Sequence, residues 1–478
     1  MNIAHSCIRL WLCCVSMFSL LSSILLSSGG CGSDEWAGPT IRIASVLDSS
    51  GAIATPNWTV VANLAVRHAN QALEKSGQPY RFKLHSSDST NTPAVAVSHA
   101  VAVVKEQGVK AIITDSSQDD IAINQTFYDS DGSNDLQVPV ICMACTSPAI
   151  NNPAAANPRD SVNQAALRNG LDWNFRTAMD TFPQSRVLIN LWLAKGQNGD
   201  INGDGQAKIV IYASDEAFGR GFAGVLQSSA NALHPSPPPI INTYLHTPTL
   251  DPNTYDWGKD ITQLLSPYSQ ASKQNDFLPD VITEATFPQY AGALTKSFVT
   301  AGATTLLLHT HAARIPAALN STSWALNGQE GTSHVLLDGS QSGEVFRQAM
   351  LDTVGVAPIF LDSHTYDATM VVLLASVLSA RGLPDAAQIT GAQIRDTMHR
   401  INEPGGTIIR TGPVEFEKAI GLIAAGQPIN YEGASGPVDF DENNNVRNQI
   451  VHWRVDGGQF VDMERYDCIS SSQCPRLP

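Results

Sequence analysis

The sequence predicts an α/β chain of two doubly wound parallel-sheet lobes, finished by a C-terminal β-hairpin. Short runs rich in Ile and Val alternate with longer stretches whose apolar residues recur at helical spacing. Such alternation implies strand–helix–strand units, with a parallel sheet and helices on both faces. The pattern restarts near residue 180, and two lobes are more economical than one sheet holding every unit. The chain has 478 residues, 43% of them hydrophobic, ample for two cores.

Residues 41–46 read as a buried strand. Asn57 is placed as the N-cap of a helix carrying Val61, Leu64, Ala65 and Ala72, which Gly77 stops. Residues 80–84 form a second strand. Thr92-Pro93 opens a helix in cap-then-proline order, with Val97, Val101 and Val104 along it and Gly108 at its end. Residues 110–114 are a third strand. After the restart, 208–212 is a strand and 221–232 a helix. The turn Pro235-Ser-Pro-Pro-Pro239 leads into strand 240–245. Strand 280–283, helix 288–300 and strand 305–309 repeat the unit. Helical stretches follow at 364–380, 390–400 and 414–425. Residues 436–440 and 447–455 alternate as strands around the polar turn 441–445, and Gly457-Gly458 turns into strand 459–463.

Residues 1–30 read as a signal peptide: one Arg, an apolar run over 10–26, then Ser27-Ser28-Gly29-Gly30 before Cys31. The small residues before Cys31 resemble a bacterial lipobox, in which the cysteine takes lipid and becomes the new N-terminus. Ser28 departs from that pattern, which usually has Leu. The alternative is a plain secretory signal. Residues 31–40 would be a tether, holding the protein to the membrane on the periplasmic side of the envelope. Removing residues 1–30 leaves 28 basic against 44 acidic side chains, a net charge of −16. An acidic surface argues against nucleic acid and anionic lipid surfaces as partners. Four cysteines remain beyond Cys31, and four allow three pairings. Proximity and an oxidising compartment favour Cys142–Cys145 and Cys468–Cys474 as disulfides.

Several segments then resemble one family. Ser87-Asp88, Pro93-Ala-Val-Ala-Val97 and Gly108-Val-Lys-Ala-Ile-Ile113 resemble the first lobe of type I periplasmic binding proteins. The likeness is strongest to the leucine/isoleucine/valine-binding receptors of ABC transporters. Val138-Pro-Val-Ile141 with Thr146-Ser-Pro148, Ser214-Asp-Glu-Ala-Phe-Gly-Arg-Gly221, His364-Thr-Tyr-Asp-Ala368 and Tyr431-Glu-Gly-Ala-Ser-Gly-Pro-Val-Asp-Phe-Asp441 fall in that family's order. The resemblance covers about residues 41–463. It implies a hinge between the lobes, with crossovers near 176–181, 330–335 and 427–433. Lobe 1 would be 41–178 with 336–428, and lobe 2 would be 179–335 with 429–478. A monomer that captures a small-molecule ligand and is read by ABC permease subunits is the implied function.

Ligands of open α/β sheets lie beyond the carboxyl ends of strands. Here those loops are 47–51, 115–119, 142–147, 213–219, 285–287 and 309–311. Ser116 and Ser117 can hold a carboxylate or cap a helix. By resemblance, Ala144 and Thr146 contact the ligand through a carbonyl and a hydroxyl. Phe218 stands where the family has a ligand-packing Tyr, and Phe287 falls near a second aromatic contact. His311 stands where the family often has an acid that pairs with the ligand's ammonium. That exchange takes the ammonium partner from a zwitterionic amino acid and points toward a carboxylate-bearing or neutral ligand, within the expected class of a small polar solute, an amino acid or a related carboxylate or amide. His309 and His311 could also be plain hydrogen-bonded histidines or metal ligands. The Cys142/Cys145 pair admits a redox reading. Asp200-Ile-Asn-Gly-Asp-Gly205 looks like half a calcium loop, but Ile211 stands at its twelfth position, so a polar turn is the simpler reading. The acidic stretch 439–445 is likewise read as a turn. No Gly-x-Ser-x-Gly, Walker A or His-Glu-x-x-His pattern occurs, so no catalytic residue, metal or cofactor is expected.

Overall fold

A computed structural model describes residues 36–128, 132–150, 171–234, 236–248, 251–266, 278–320, 323–335 and 339–478. Residues 1–30, read above as a signal peptide, and Cys31 lie outside the described residues. Two main sheets organise the chain from Pro39 onward. The first has five parallel strands in the order β2 (Arg81–Asp88), β1 (Thr40–Leu47), β3 (Ile112–Thr114), β4 (Val140–Cys142), β5 (Asn174–Arg176). The second has seven, ordered β14 (Gln459–Asp467), β13 (Gln449–Asp456), β10 (Glu330–His334), β9 (Leu306–His309), β8 (Val281–Ala285), β6 (Lys208–Ser214), β7 (Ile240–His246). Strands β6 to β10 run parallel, while β13 joins β10 antiparallel and forms a hairpin with β14. A short parallel pair, β11 (Thr407–Ile409) with β12 (Ile429–Tyr431), stands apart. Every residue of β6 is buried, as expected of a central parallel strand covered on both faces.

Two large apolar cores follow the two sheets. The first gathers Ile41, Ile43, Leu64, Phe82, Ile113 and Phe175 with the helix Asp362–Ala380. That helix is buried on nearly every side, its polar residues Asp362, His364 and Asp367 included, and packs against the helices Pro56–Lys75 and Pro413–Ala425. The second core gathers Ile209, Ile211, Phe222, Leu294 and Leu308. The chain therefore returns to the first half after β10.

Three expectations need correction. The first helix begins at Pro56 with Thr55 as N-cap, not at Asn57, because proline's fixed φ suits the first helical position. Residues 436–440 form no strand. Pro437 has no N–H to give a ladder, and only an isolated bridge links Glu432 to Pro437. The C-terminal sheet addition is thus the hairpin β13–β14 alone. The third passage between the halves also comes later than 427–433. Ile429, Tyr431, Ala434, Val438 and Val446 all pack in the first core, and the chain enters the second sheet only at Gln449.

Candidate ligand-binding site

The loops at the carboxyl ends of β1, β3, β4, β6, β8 and β9 surround one cavity. The first half contributes Ile53, Trp58, Asp115, Ser116, Ser117 and Ala144, with Phe360 and Leu361 from the approach to helix Asp362–Ala380. The second half contributes Glu216, Phe218, Phe287, Pro288, His311, Ala312 and Ile315. Six of the seven residues singled out from sequence thus meet on one surface: Ser116, Ser117, Ala144, Phe218, Phe287 and His311. Thr146 is not among the lining residues. Its carbonyl accepts the backbone N–H (3.1 Å) and hydroxyl (2.7 Å) of Thr181, fastening β4's loop to the first passage between the halves.

Local sequence explains each placement. Ser116 is the N-cap of helix Ser117–Phe127, and its hydroxyl accepts the Asp119 N–H. The hydroxyl of Ser117 accepts the Ser147 N–H, 3.3 Å away, tying β3's loop to β4's. Glu216 caps helix Ala217–Leu233, accepting the N–H groups of Phe218 (2.6 Å) and Gly219 (2.7 Å). The glycines of that motif have separate reasons. A Cβ on Gly219 would lie 2.2 Å from the Ser214 carbonyl oxygen, and one on Gly221 would lie 2.9 Å from Ser147 Oγ and 3.0 Å from Pro148. Gly219 permits the tight strand-to-helix turn. Gly221 permits a second-half helix to lie on a first-half loop. Phe218 and Phe287 stack with centroids 6.4 Å apart, and Phe218 meets the His311 ring edge-on at 5.1 Å.

His311 is oriented through a relay. Gln184 Nε2 donates to the Thr332 carbonyl at 2.8 Å, which turns its Oε1 toward His311 Nδ1 at 2.7 Å. An amide oxygen only accepts, so Nδ1 carries the proton and Nε2 is left as an acceptor. Burial, with His334 and His364 nearby, holds this imidazole neutral, its pKa well below the ordinary value. His309 turns elsewhere, bonding Glu284 at 3.1 Å and stacking on Trp453. The two histidines therefore do not converge on one metal.

Two acids at the cavity were not singled out from sequence. Asp115 Oδ2 accepts the Asp48 N–H at 2.5 Å, while Oδ1 has no partner beyond its own backbone N–H. Burial, then the neighbouring Asp119, raises the Asp115 pKa well above the usual carboxylate range. Burial likewise pushes Glu216 up to about 7. Both stand in loops that the sheet rule had marked, so the signal was their position. Phe360 and Leu361 carry no such signal. Leu361 reaches the cavity from a left-handed backbone, φ 70°, a conformation non-glycine residues seldom adopt.

The other candidate sites resolve into turns. In 200–205, Asp200 accepts the N–H groups of Gly203 (2.8 Å) and Gly205 (2.9 Å), and Asp204 pairs with the buried Lys208 ammonium at 2.5 Å. In 439–445, Asp441 accepts from Asn443 and Asn445, and the Asn445 side chain in turn accepts from Arg176. The sulfurs of Cys142 and Cys145, and those of Cys468 and Cys474, lie at bonding distance, and all four residues are buried. Among the described residues, no helix is long and apolar enough to cross a membrane.

No family model matches the chain. A chemotactic signal transduction system substrate-binding protein, BasB of Halobacterium salinarum, is 25% identical over 410 residues, covering 84% of each chain. Among solved structures, the leucine-binding protein LivK of Thermotoga maritima superposes with TM-score 0.64 at 16% identity, covering 89% of this chain and 98% of its own. The branched-chain amino acid transporter substrate-binding protein LivJ of Streptococcus pneumoniae, solved with isoleucine, gives 0.60 at 15%, covering 89% and 100%. An ABC-transporter solute-binding protein of Rhodopseudomonas palustris, solved with 3,4-dihydroxybenzoic acid, gives 0.61 at 14%, covering 90% and 98%. With its two parallel sheets, its cavity at their carboxyl ends and these relatives, the chain has the type I periplasmic binding protein fold, as found in LivK- and LivJ-type solute receptors.

Proposed function

We propose that this chain is a solute-binding protein, not an enzyme, which captures a small organic solute between its two halves and delivers it to the permease subunits of an ABC importer. One observation carries the reading: a single cavity lined by loops from both sheets, with apolar walls and few polar groups, the usual make-up of a small-molecule site. The lobes are taken as the two sheets with their helices, joined by the passages after β5, after β10 and before β13. Closure of such halves on a ligand gives a permease a shape to read. Signal cleavage before Cys31 and lipidation of that residue would hold the monomer on the periplasmic side of the envelope. Mass spectrometry of small molecules released from natively purified protein tests the binding. A compound recovered and rebound, raising the melting temperature, supports it. Protein that is stabilised by no small molecule opposes it. Mass analysis of the membrane fraction tests the anchor: Cys31 should carry lipid, and Cys31→Ser should release the protein.

A second reading has one specific observation in its favour. The halobacterial relative is named as part of a chemotactic system. Reporting the solute to a signalling partner is therefore the alternative output of the same binding act. Co-purification of membrane partners separates the two.

A further inference from the structure

We propose that the cavity selects an organic cation: a small amine whose ammonium group is taken up by Asp115 and Glu216, and whose apolar body lies against Trp58, Phe218 and Phe287. This rests on the solute-binding reading and narrows the solute.

The polar lining consists of Asp115, Glu216, His311, Ser116 and Ser117, with no Lys or Arg among the lining residues. Both acids are negative when charged; no cationic side chain lines the cavity, and only Arg220, outside the lining, acts on Glu216. Asp115 is 1% exposed, and its Oδ1 has no partner beyond its own backbone. A buried carboxylate without a counter-charge is costly, and an ammonium supplies both the charge and three donors. Glu216 already accepts two backbone N–H groups, which fix its carboxylate while leaving lone pairs for a ligand. His311 adds an acceptor, because its one proton is given to Gln184.

The same residues disfavour a carboxylate. A helix N-terminus usually attracts anions, and helix Ser117–Phe127 begins at this cavity. Here Asp119 and Asp120 occupy its first turn and the cavity-lining Asp115 precedes it, so their negative charge opposes the pull of the helix terminus on an anion. The Ser116 hydroxyl is engaged by Asp119 N–H. The loss of an acid at the His311 position is thus offset by two acids elsewhere. The aromatic walls suit a cation too, since ring faces carry partial negative charge.

The test is calorimetry and thermal shift on the exported chain at neutral pH. The probes are 2-phenylethylamine, 3-methylbutylamine, 2-phenylethanol, leucine and benzoate. The amines should bind at least tenfold more tightly than the alcohol, leucine or benzoate, as expected for a charge-assisted bond. Asp115→Asn and Glu216→Gln should each weaken amine binding roughly ten- to hundredfold, with the alcohol unaffected. Asp115 also holds the Asp48 N–H. If Asp115→Asn fails to fold, Glu216→Gln alone decides. Benzoate or leucine binding more tightly than the amines, or amine binding unchanged in the variants, overturns the cation and leaves solute binding standing. A resident molecule without an ammonium group overturns it likewise. If no probe binds and no resident molecule is found, both readings fall.

Discussion

At the scale of single residues, Asp367 shows why two of the recognised motifs occur together. It lies in helix Asp362–Ala380, fully buried, and accepts four hydrogen bonds: Tyr431 Oη (2.7 Å), Ala434 N (2.9 Å), Ser435 N (2.7 Å) and Ser435 Oγ (2.6 Å). A Cβ on Gly433 would come within 2.4 Å of this carboxylate, so the Tyr-Glu-Gly-Ala-Ser segment is shaped around Asp367. Asp367→Ala should lower stability by on the order of 3 kcal/mol, because four donors lose a charged acceptor together. Asp367→Asn should cost less, and equilibrium denaturation checks both. Histidine burial gives a second prediction. His68 Nδ1 meets Tyr366 Oη at 2.7 Å, and burial pushes its pKa down to about 4. The folded state thus resists a proton that the unfolded chain takes up near pH 6.5. The stability from neutral His68 is complete above that pH and is lost as pH falls from 6.5 toward 4. Buried acids act oppositely: Asp362, raised to about 7, favours the folded state as pH falls. The variant difference isolates the histidine. His68→Gln should be less stable at pH 7.5, and its deficit should shrink as pH falls to 5. A deficit constant with pH would count against the assignment.

At the scale of elements, strands and helices were largely legible and some boundaries were not. Helix Pro288–Thr300 and the alternation of units follow from apolar spacing and Pro/Gly punctuation, which are local signals. Residues 436–440 were misread because alternation alone resembles a strand, while tertiary contacts decide whether a ladder partner exists. The site was legible as loops, since strand ends place ligands, and Asp115 and Glu216 lay inside those loops unremarked. Phe360 and Leu361 follow no strand, and the long-range packing that brings them in leaves no local trace. Element packing makes its own prediction at Gly219 and Gly221. Gly219→Ala drives a methyl into the Ser214 backbone, which cannot swing aside, and should cost about 1–3 kcal/mol. Gly221→Val should instead push helix Ala217–Leu233 off Ser147 and Pro148. It should weaken ligand binding more than it lowers the melting temperature, as calorimetry and a thermal melt would show.

At the scale of the whole molecule, two cores and one shared cavity make ligand binding a coupling between halves. Ile53 packs against both apolar cores and lines the cavity. Arg176, fully buried at the end of β5, donates to the Ser147 carbonyl at 2.9 Å and to Asn445 at 2.5 Å, so it joins the first passage to the segment preceding the third. Asn444 adds to this clasp, since its side chain donates to the Asn174 carbonyl and its own carbonyl accepts from Arg176 N–H. The passages are therefore stitched to each other, while the cavity loops of the two halves meet mainly through apolar and aromatic surfaces. A ligand that touches both walls should tie the halves together where the protein itself makes few polar links. At about 100 times its dissociation constant it should add about 2.7 kcal/mol to stability. Hydrogen exchange locates that gain. Protection should rise in helix Ser117–Phe127 and in helix Ala217–Leu233 together, because their first turns supply Ser117 and Phe218 to opposite walls. Arg176→Met leaves the cavity lining intact but frees the clasp. It should lower stability without ligand while the added protection persists in both helices. Protection confined to one half would mean that the ligand sits on one lobe's surface, and the shared-cavity account of capture would fail.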